Sequence, residues 1–213
     1  GPHTFVYLPD DWQSSGRRYP VVYMFDGHNL FFDSTATYGT CWGLKEYMDA
    51  HPQAIIVAPE CNHEGNARLE EYSPYDFAWQ EYDIKGRGKA YLDWMVQELK
   101  PLIDAKYPTL PDRENTAIGG SSMGGLMSLY GVTAHNETFS RAACLSPSVR
   151  AAAADWTRLR QSSSARRCGT PMRSWSGCRR LHPSRRQSPR GMRSISSVKN
   201  QMPQLLQRWW TTE

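Results

Sequence analysis

The sequence feature that most constrains the fold is the segment from Asn115 to Tyr130, which reads NTAIGGSSMGGLMSLY. Its centre, Gly120 to Gly124, has the pattern G-x-S-x-G and follows a short apolar run of small and β-branched residues. Apolar residues at helical intervals continue from this centre towards His135. This order predicts a buried parallel strand, a sharp turn at Ser122 and a helix.

The glycines of this segment have a physical explanation. A strand that turns into a helix within one residue holds the residue at the turn in a strained backbone conformation. Residues without a Cβ, here Gly120 and Gly124, let the neighbouring chain pass closely. Because such a turn exposes its serine hydroxyl at the edge of the sheet, Ser122 is our candidate nucleophile. A glycine-rich turn between an ordinary strand and helix is the alternative interpretation.

Two segments together resemble a known family. DREN, from Asp112 to Asn115, leads into IGGSSMGG, and an upstream segment from Asp26 to Phe31 reads DGHNLF. With these motifs, the chain between about Thr4 and Ser148 resembles the esterase D and enterochelin-esterase-like branch of the α/β-hydrolases. The resemblance implies an α/β-hydrolase-type sheet, mostly parallel, with helices on both faces. It also implies a serine esterase that uses neither a cofactor nor a metal.

The resemblance implies roles for further residues. The backbone N–H groups of His28 and Met123 would form the oxyanion hole, and we expect the His28 side chain to be an ordinary polar loop residue. Arg68 and Glu71 belong to an R-x-x-E-Y segment that is similar to one in this family, so both are candidates for shaping the substrate pocket. Trp42 is a further pocket candidate, although packing in the core is the simpler expectation for it.

Hydrophobic patterns predict the remaining elements. Strands are expected near residues 4–9, 20–25, 54–59, 115–120 and 141–145, neighbouring one another, with all but the first mutually parallel. Helices are expected over about 41–51, 88–106 and 123–134. Pro101 lacks a backbone N–H, so we expect it to kink or split the second helix near Lys100. The segment from Cys61 to Phe77 is predicted to be a long polar loop.

Composition limits the class of protein. At 213 residues, the chain is long enough for one domain with a sizeable core. It contains no apolar stretch of roughly 18 residues or more, so no membrane span is predicted. Its five cysteines include no C-x-x-C pair, which argues against a disulfide framework or a zinc site. The N-terminus lacks the layout of a signal peptide, which favours a cytoplasmic location; Gly1-Pro2 also fits an expression scar or the cut edge of a longer protein.

The charge balance changes near Val149. Residues 1–149 hold 11 Lys and Arg against 19 Asp and Glu, a balance of −8, whereas residues 150–213 hold 14 against 2, a balance of +12. We therefore divide the chain into an α/β-hydrolase core at 1–148, an aberrant Arg- and Ser-rich segment at 149–190 that we expect to pack poorly, and a remnant of the family's C-terminal helix at 191–213. The C-terminal strands of the family are expected to be missing or disrupted.

The basic tail leaves polyanion binding as a remote alternative function, because a concentration of positive charge attracts nucleic acid without regard to its sequence. No nucleic-acid-binding module is recognisable in the chain. We therefore expect a small-molecule ester as the substrate and neither a nucleic acid nor a membrane as a partner. The sequence leaves the oligomeric state open.

The resemblance does not extend to the acid and the base of a catalytic triad. Both should follow the nucleophile in the chain, yet Asp155 is the one acid and His182 the one histidine between Val149 and Arg190. Arg193 stands where the family would place its histidine, and arginine cannot act as a general base near neutral pH.

We expect an impaired esterase; an active carboxylesterase, an acyltransferase and an inactive protein of the same fold are the alternatives. An altered reading frame over this stretch would explain the departure, and sequencing the source DNA would test that explanation.

Limited proteolysis tests the division of the chain. The segment from Val149 to about Arg190 carries one-sided charge, and its apolar residues follow neither a helical nor a strand period. We expect a protease to cut there first, with mass spectrometry locating the cleavage sites. Protection equal to that of the helix after Ser122 would contradict the prediction.

Overall fold

The computed structural model describes residues 3–79 and 81–149. In chain order, the elements of this part are β1 (Thr4–Tyr7), β2 (Val21–Met24), α1 (Leu44–Ala50), β3 (Ile55–Pro59), α2 (Ala67–Glu71), β4 (Phe77–Trp79), β5 (Tyr82–Ile84), α3 (Gly88–Trp94), α4 (Lys100–Lys106), β6 (Thr116–Ser121), α5 (Met123–Ala134) and β7 (Arg141–Leu145). Two 3₁₀ turns, Gly27–Asn29 and Arg113–Asn115, precede α1 and β6, and a π-helical turn, Met95–Leu99, joins α3 to α4.

Five of these strands form one sheet in the order β1-β3-β2-β6-β7. β1 pairs with β3 in antiparallel orientation, whereas β3, β2, β6 and β7 are mutually parallel. The predicted strands and their orientations are therefore confirmed. β4 and β5 form a separate antiparallel hairpin.

Helices cover both faces of the sheet. Alternate residues of β2 belong to different hydrophobic clusters: Val21 and Tyr23 to one, Val22 and Met24 to the other. The first cluster includes apolar residues of α3, α4 and α5, and the second includes residues of α1. This alternation follows from the two-residue period of a strand and explains why nearly every side chain of the central strands is apolar. The predicted arrangement of helices on both faces is confirmed.

One predicted helix boundary and one predicted loop differ from the structure. The first helix begins at Leu44 rather than at residue 41, because Gly43 has a φ of 66° and ends the preceding loop in a left-handed conformation. The segment predicted as a polar loop contains the short helix α2, which no apolar periodicity indicates. Its position depends on contacts of Arg68 with distant residues, described below.

Pro101 affects its helix differently from the expectation. Helical backbone angles continue through Lys100, whose φ is −60° and ψ is −49°, so the helix is not split there. Instead, a wider π-helical turn precedes the proline, and the Lys100 N–H donates to the Met95 carbonyl. Because Pro101 has no N–H for the usual ladder, the wider turn takes up the mismatch.

The remaining predictions about the tail lie outside the described residues. These are the aberrant segment, the missing strands, the final helix and the positions of Asp155, His182 and Arg193. Among the helices of residues 3–79 and 81–149, none has the length and apolar character needed to cross a membrane.

Glycine is required where β6, α5 and β2 meet. A Cβ on Gly120 would lie 2.8 Å from the backbone carbon of Gly124, and a Cβ on Gly124 would lie 2.9 Å from the Cβ of Phe25. Both distances are shorter than carbon atoms tolerate, and neither neighbouring atom can move without shifting the backbone. The turn at Ser122 therefore depends on these two glycines.

Gly124→Ala is expected to lower the free energy of unfolding by about 1–3 kcal/mol, the usual cost of overpacking a filled core. Gly131→Ala is a matched control in the same helix. Its new Cβ would lie 3.1 Å from Cδ1 of Ile118, the movable end of a side chain, and alanine favours the helix over glycine by about 1 kcal/mol. We expect a net change below about 1 kcal/mol for the control. Equal losses in denaturant unfolding would contradict this account of the turn.

Candidate active site

Ser122 lies at the turn between β6 and α5, as the sequence predicts. Its φ of 55° and ψ of −117° place it in a region that residues other than glycine rarely adopt. Backbone strain of this kind persists only where the surrounding structure enforces it. Ser122 also lines a cavity at the carboxyl ends of the parallel strands. In α/β folds, this is the edge of the sheet where ligands bind.

The end of β7 holds the turn in place. The Ser122 N–H donates to the Leu145 carbonyl at 3.0 Å, and the Ser148 N–H donates to the Ser122 carbonyl at 3.0 Å. The hydroxyl oxygens of Ser122 and Ser148 also lie 3.0 Å apart, within hydrogen-bond distance. Ser148 is thus a direct neighbour of the candidate nucleophile. In the sequence, Ser148 stood only at the end of the family resemblance, with no role assigned to it.

The loop after β2 forms another part of the site. Asp26 has a φ of 59°, and the 3₁₀ turn Gly27–Asn29 follows it. A Cβ on Gly27 would lie 2.0 Å from the Ala58 carbonyl oxygen, so only glycine fits between this loop and β3. The loop therefore packs tightly against the neighbouring strand and holds the His28 backbone at the edge of the sheet.

A partly buried ion pair holds this loop. The Asp26 carboxylate is buried and accepts hydrogen bonds from Nε and Nη2 of Arg68, both at 2.7 Å. The Asp26 N–H donates to the Tyr72 hydroxyl at 3.1 Å, and the Arg68 guanidinium lies 5.2 Å from the centre of the Tyr72 ring. Because two parallel hydrogen bonds define both distance and orientation, Arg68 anchors α2 to the loop that carries His28.

The two predicted oxyanion donors are both at helix starts. Met123 is the first residue of α5, where backbone N–H groups have no partner in the preceding turn. His28 lies within the 3₁₀ turn. The hydrogen bonds of residues 3–79 and 81–149 include no acceptor for either N–H. Within this part of the chain, neither N–H is therefore engaged in a recorded hydrogen bond.

The His28 side chain is not the ordinary polar loop residue that we expected. It is buried, its Nε2 lies 3.1 Å from Oγ1 of Thr37, and its ring meets that of His63 edge-on with centres 4.5 Å apart. Burial lowers the pKa of His28, with the nearby Asp26 carboxylate opposing that effect. The imidazole is therefore expected to be neutral near pH 7.

The cavity has a volume of about 370 Å³. Its lining includes Asp26, His28, Trp42, His63, Arg68 and Ser122. Trp42 is both a cavity residue and a buried member of a hydrophobic cluster, so the two predictions made for it are compatible. Glu71 is not part of the lining; its carboxylate accepts a hydrogen bond from the Asn62 N–H at 2.8 Å and fixes the start of the loop after β3.

Sequence reasoning missed Cys61, which lines the cavity close to His28 and His63. Burial, followed by the charge of Asp26, raises the pKa of the Cys61 thiol to about 12, so it is protonated and a poor nucleophile near neutral pH. Its position two residues after the end of β3 could have indicated a place at the site, since the carboxyl ends of parallel strands meet at one edge of the sheet.

A catalytic base for Ser122 is not found in the described part of the chain. Within residues 3–79 and 81–149, the hydrogen-bond partner of the Ser122 hydroxyl is the Ser148 hydroxyl. The sequence order of an α/β-hydrolase places the acid and the histidine after this point. Those positions lie outside the described residues.

Known proteins resemble this chain over much of its length. "Esterase MT1326" of Mycobacterium tuberculosis is 30% identical over 131 residues, which are 60% of this chain and 25% of that protein. The uncharacterized protein YbbA of Bacillus subtilis is 24% identical over 146 residues, covering 67% of this chain and 55% of that protein. The chain thus spans between a quarter and just over half the length of these relatives.

Solved structures support the fold. An IroE-like serine hydrolase from Shewanella oneidensis superposes with a TM-score of 0.58 at 23% identity, covering 75% of this chain and 50% of that one. This similarity confirms the α/β-hydrolase-type fold.

The family match reaches farther than the motifs do. The family model described as "Putative esterase" matches residues 2–192, whereas the motif resemblance ends near Ser148. Since this match covers most of its length, the chain belongs to the Esterase family.

Proposed function

We propose that this protein hydrolyses carboxylic esters through Ser122. The observation that supports the proposal most strongly is the strained turn that holds Ser122 at a cavity, with the N–H of Met123 directly after it. In this mechanism, the Ser122 oxygen attacks the ester carbonyl carbon and its proton passes to a base. The alcohol then leaves, and water hydrolyses the acyl-enzyme to regenerate the serine.

The N–H groups of His28 and Met123 would stabilise the charge that develops on the carbonyl oxygen. Each donor of this kind contributes on the order of 3 kcal/mol to the transition state. The Asp26–Arg68 ion pair supports this role indirectly, because it restrains the loop that carries the His28 N–H. Arg68 and Asp26 are thus positioning residues in the proposal.

The substrate that we propose is a small-molecule ester. A cavity of about 370 Å³ accommodates a small molecule. Its lining combines the aromatic Trp42 with polar groups such as Asn62 and Arg68, so it provides both apolar and hydrogen-bonding contacts. Because an acyltransferase would use the same nucleophile and oxyanion donors, transfer of the acyl group to an alcohol other than water is the second candidate reaction.

We further propose that turnover is weak. Serine is a poor nucleophile until a base accepts its proton, and the tail provides only His182 as a histidine and Asp155 as an acid before it. Arg179, Arg180 and other arginines surround His182 in the sequence, and their charge would oppose its protonation during the reaction. This part of the proposal depends on the sequence of the tail alone.

Hydrolysis of p-nitrophenyl acetate tests the nucleophile. Without a base and an acid, the expected acceleration is roughly 10³ to 10⁴ over water, against a loss on the order of 10⁶ from an intact triad. Because the oxyanion donors and binding supply that residual acceleration, Ser122→Ala is expected to change the steady-state rate little and to abolish the initial burst of p-nitrophenol that acylation of Ser122 releases. Ser140→Ala, which changes a serine far from the turn in the chain, should leave the rate unchanged. A burst of equal size in Ser122→Ala and in the unmodified chain would contradict the proposal.

Two tail variants test the missing relay with the same assay. Arg193→His restores a histidine at the position where the family would place its base, so we expect an increase in kcat. His182→Ala is expected to have no effect, because we do not assign His182 as the base. Robust turnover that disappears in His182→Ala would show instead that His182 is the base and that the enzyme is not impaired.

A further inference from the structure

Three side chains with metal-binding atoms meet at the carboxyl ends of β2 and β3. His28 follows β2, whereas Cys61 and His63 follow β3. One ligand atom from each residue lies within 4.8 Å of the others, and all three residues line the cavity that also contains Ser122. We propose that His28, Cys61 and His63 bind Zn²⁺ and that the fourth coordination position of the ion faces the cavity.

His28 is arranged to present one nitrogen to an ion. Its Nε2 lies 3.1 Å from Oγ1 of Thr37, whereas its buried Nδ1 has no hydrogen-bond partner among the described residues. A buried polar atom without a partner requires an explanation, because leaving it unsatisfied costs free energy. When Nε2 carries the proton and donates to Thr37, Nδ1 holds the free lone pair that a metal ion needs.

Cys61 and His63 complete a set of three ligands. The Cys61 Sγ lies 4.0 Å from Nδ1 of His63. Tetrahedral zinc, with bonds of about 2.3 Å to sulfur and about 2.0 Å to nitrogen, sets these two ligand atoms about 3.5 Å apart. His63 is exposed, so its ring can turn by the small amount required, and solvent provides a route for the ion. On binding, the metal replaces the Cys61 thiol proton, which is released to solvent.

The chemistry of the ligands selects the ion. Two imidazoles and a thiolate favour zinc and similar transition metals, whereas magnesium and calcium prefer oxygen ligands. Three protein ligands with one open position are typical of zinc sites that are accessible to small molecules. The cysteine spacing in the sequence argued against a zinc site, because the ligands of this site come from two loops that only the parallel sheet brings together.

A bound ion would affect the reaction proposed for Ser122. It would occupy part of the cavity that the ester needs, beside the loop that carries the His28 N–H. We infer that Zn²⁺ inhibits acylation of Ser122. This consequence rests on the proposed function, whereas metal binding itself does not.

Cobalt provides a direct test of binding, because Co²⁺ occupies zinc sites and a thiolate ligand gives it a characteristic charge-transfer absorption. We expect the full chain to develop this band with one equivalent of Co²⁺ and to lose it when Zn²⁺ is added. Cys61→Ala should abolish the band. Thr37→Val, which removes the hydroxyl that orients His28, should weaken affinity about 10- to 100-fold, and His63→Ala should weaken it further.

Matched controls separate this site from other histidines and cysteines. His51→Ala changes an exposed histidine outside the cluster, and the double variant Cys168→Ala/Cys178→Ala removes both cysteines of the tail. Both controls should keep the band, and circular dichroism should show that every variant is folded. The proposal is overturned if the full chain shows no band, if the band survives Cys61→Ala, or if it disappears in the tail double variant.

The inhibitory role has its own readout. A Zn²⁺ concentration just sufficient to saturate the full chain should slow acetylation of Ser122 by p-nitrophenyl acetate in that chain and slow it less in His63→Ala, which binds the ion more weakly, with mass spectrometry following the acetylated peptide. Equal rates with and without Zn²⁺ in the full chain would overturn the inhibitory role. The cobalt result would be unaffected, because metal binding requires no acylation.

Discussion

The close packing of backbone around Ser122 is the constraint on which the rest of the site depends. β6 becomes α5 within a single residue, so the Ser122 backbone adopts a positive φ, and the positions two residues before and after it, Gly120 and Gly124, leave no room for a Cβ. The end of β7 and the residues after it then provide hydrogen bonds to the backbone of the turn. The Leu145 carbonyl accepts a hydrogen bond from the Ser122 N–H, and the Ser148 N–H donates one to the Ser122 carbonyl. The free energy of packing the sheet thus maintains a backbone strain that costs on the order of 1–3 kcal/mol.

A second interaction, between two charged side chains, holds another part of the cavity lining. The buried carboxylate of Asp26 would be costly without a partner, and removing one partner of such a pair typically costs about 3–5 kcal/mol. Arg68 provides that partner through two hydrogen bonds, and in doing so it fixes α2 against the loop after β2. The same loop carries His28, so its backbone N–H and its imidazole are both positioned by an interaction between segments that are distant in the sequence.

The sequence predicted the features that depend on local patterns and missed those that depend on long-range contacts. The positions and orientations of the strands follow from apolar patterns and the turn at Ser122 from two glycines, and these were predicted, whereas the order of the strands in the sheet was not. The helix α2 was missed, because ARLEE has no apolar period and forms where Arg68 meets Asp26. The hydroxyl contact of Ser148 and the meeting of Cys61 with His28 also require the folded sheet. No local pattern encodes such contacts.

The measurement that tests the central claim most directly is peptide mass spectrometry after reaction with p-nitrophenyl acetate. A serine held at the turn beside the two N–H groups that we propose as oxyanion donors should be acylated, and the weak relay that we propose should slow deacylation, so the acetyl group should accumulate. We predict an acetyl group on Ser122 in the unmodified chain and its absence in Ser122→Ala. An unmodified Ser122 with acetylation at Ser148, or at lysines alone, would contradict the claim that Ser122 is the nucleophile.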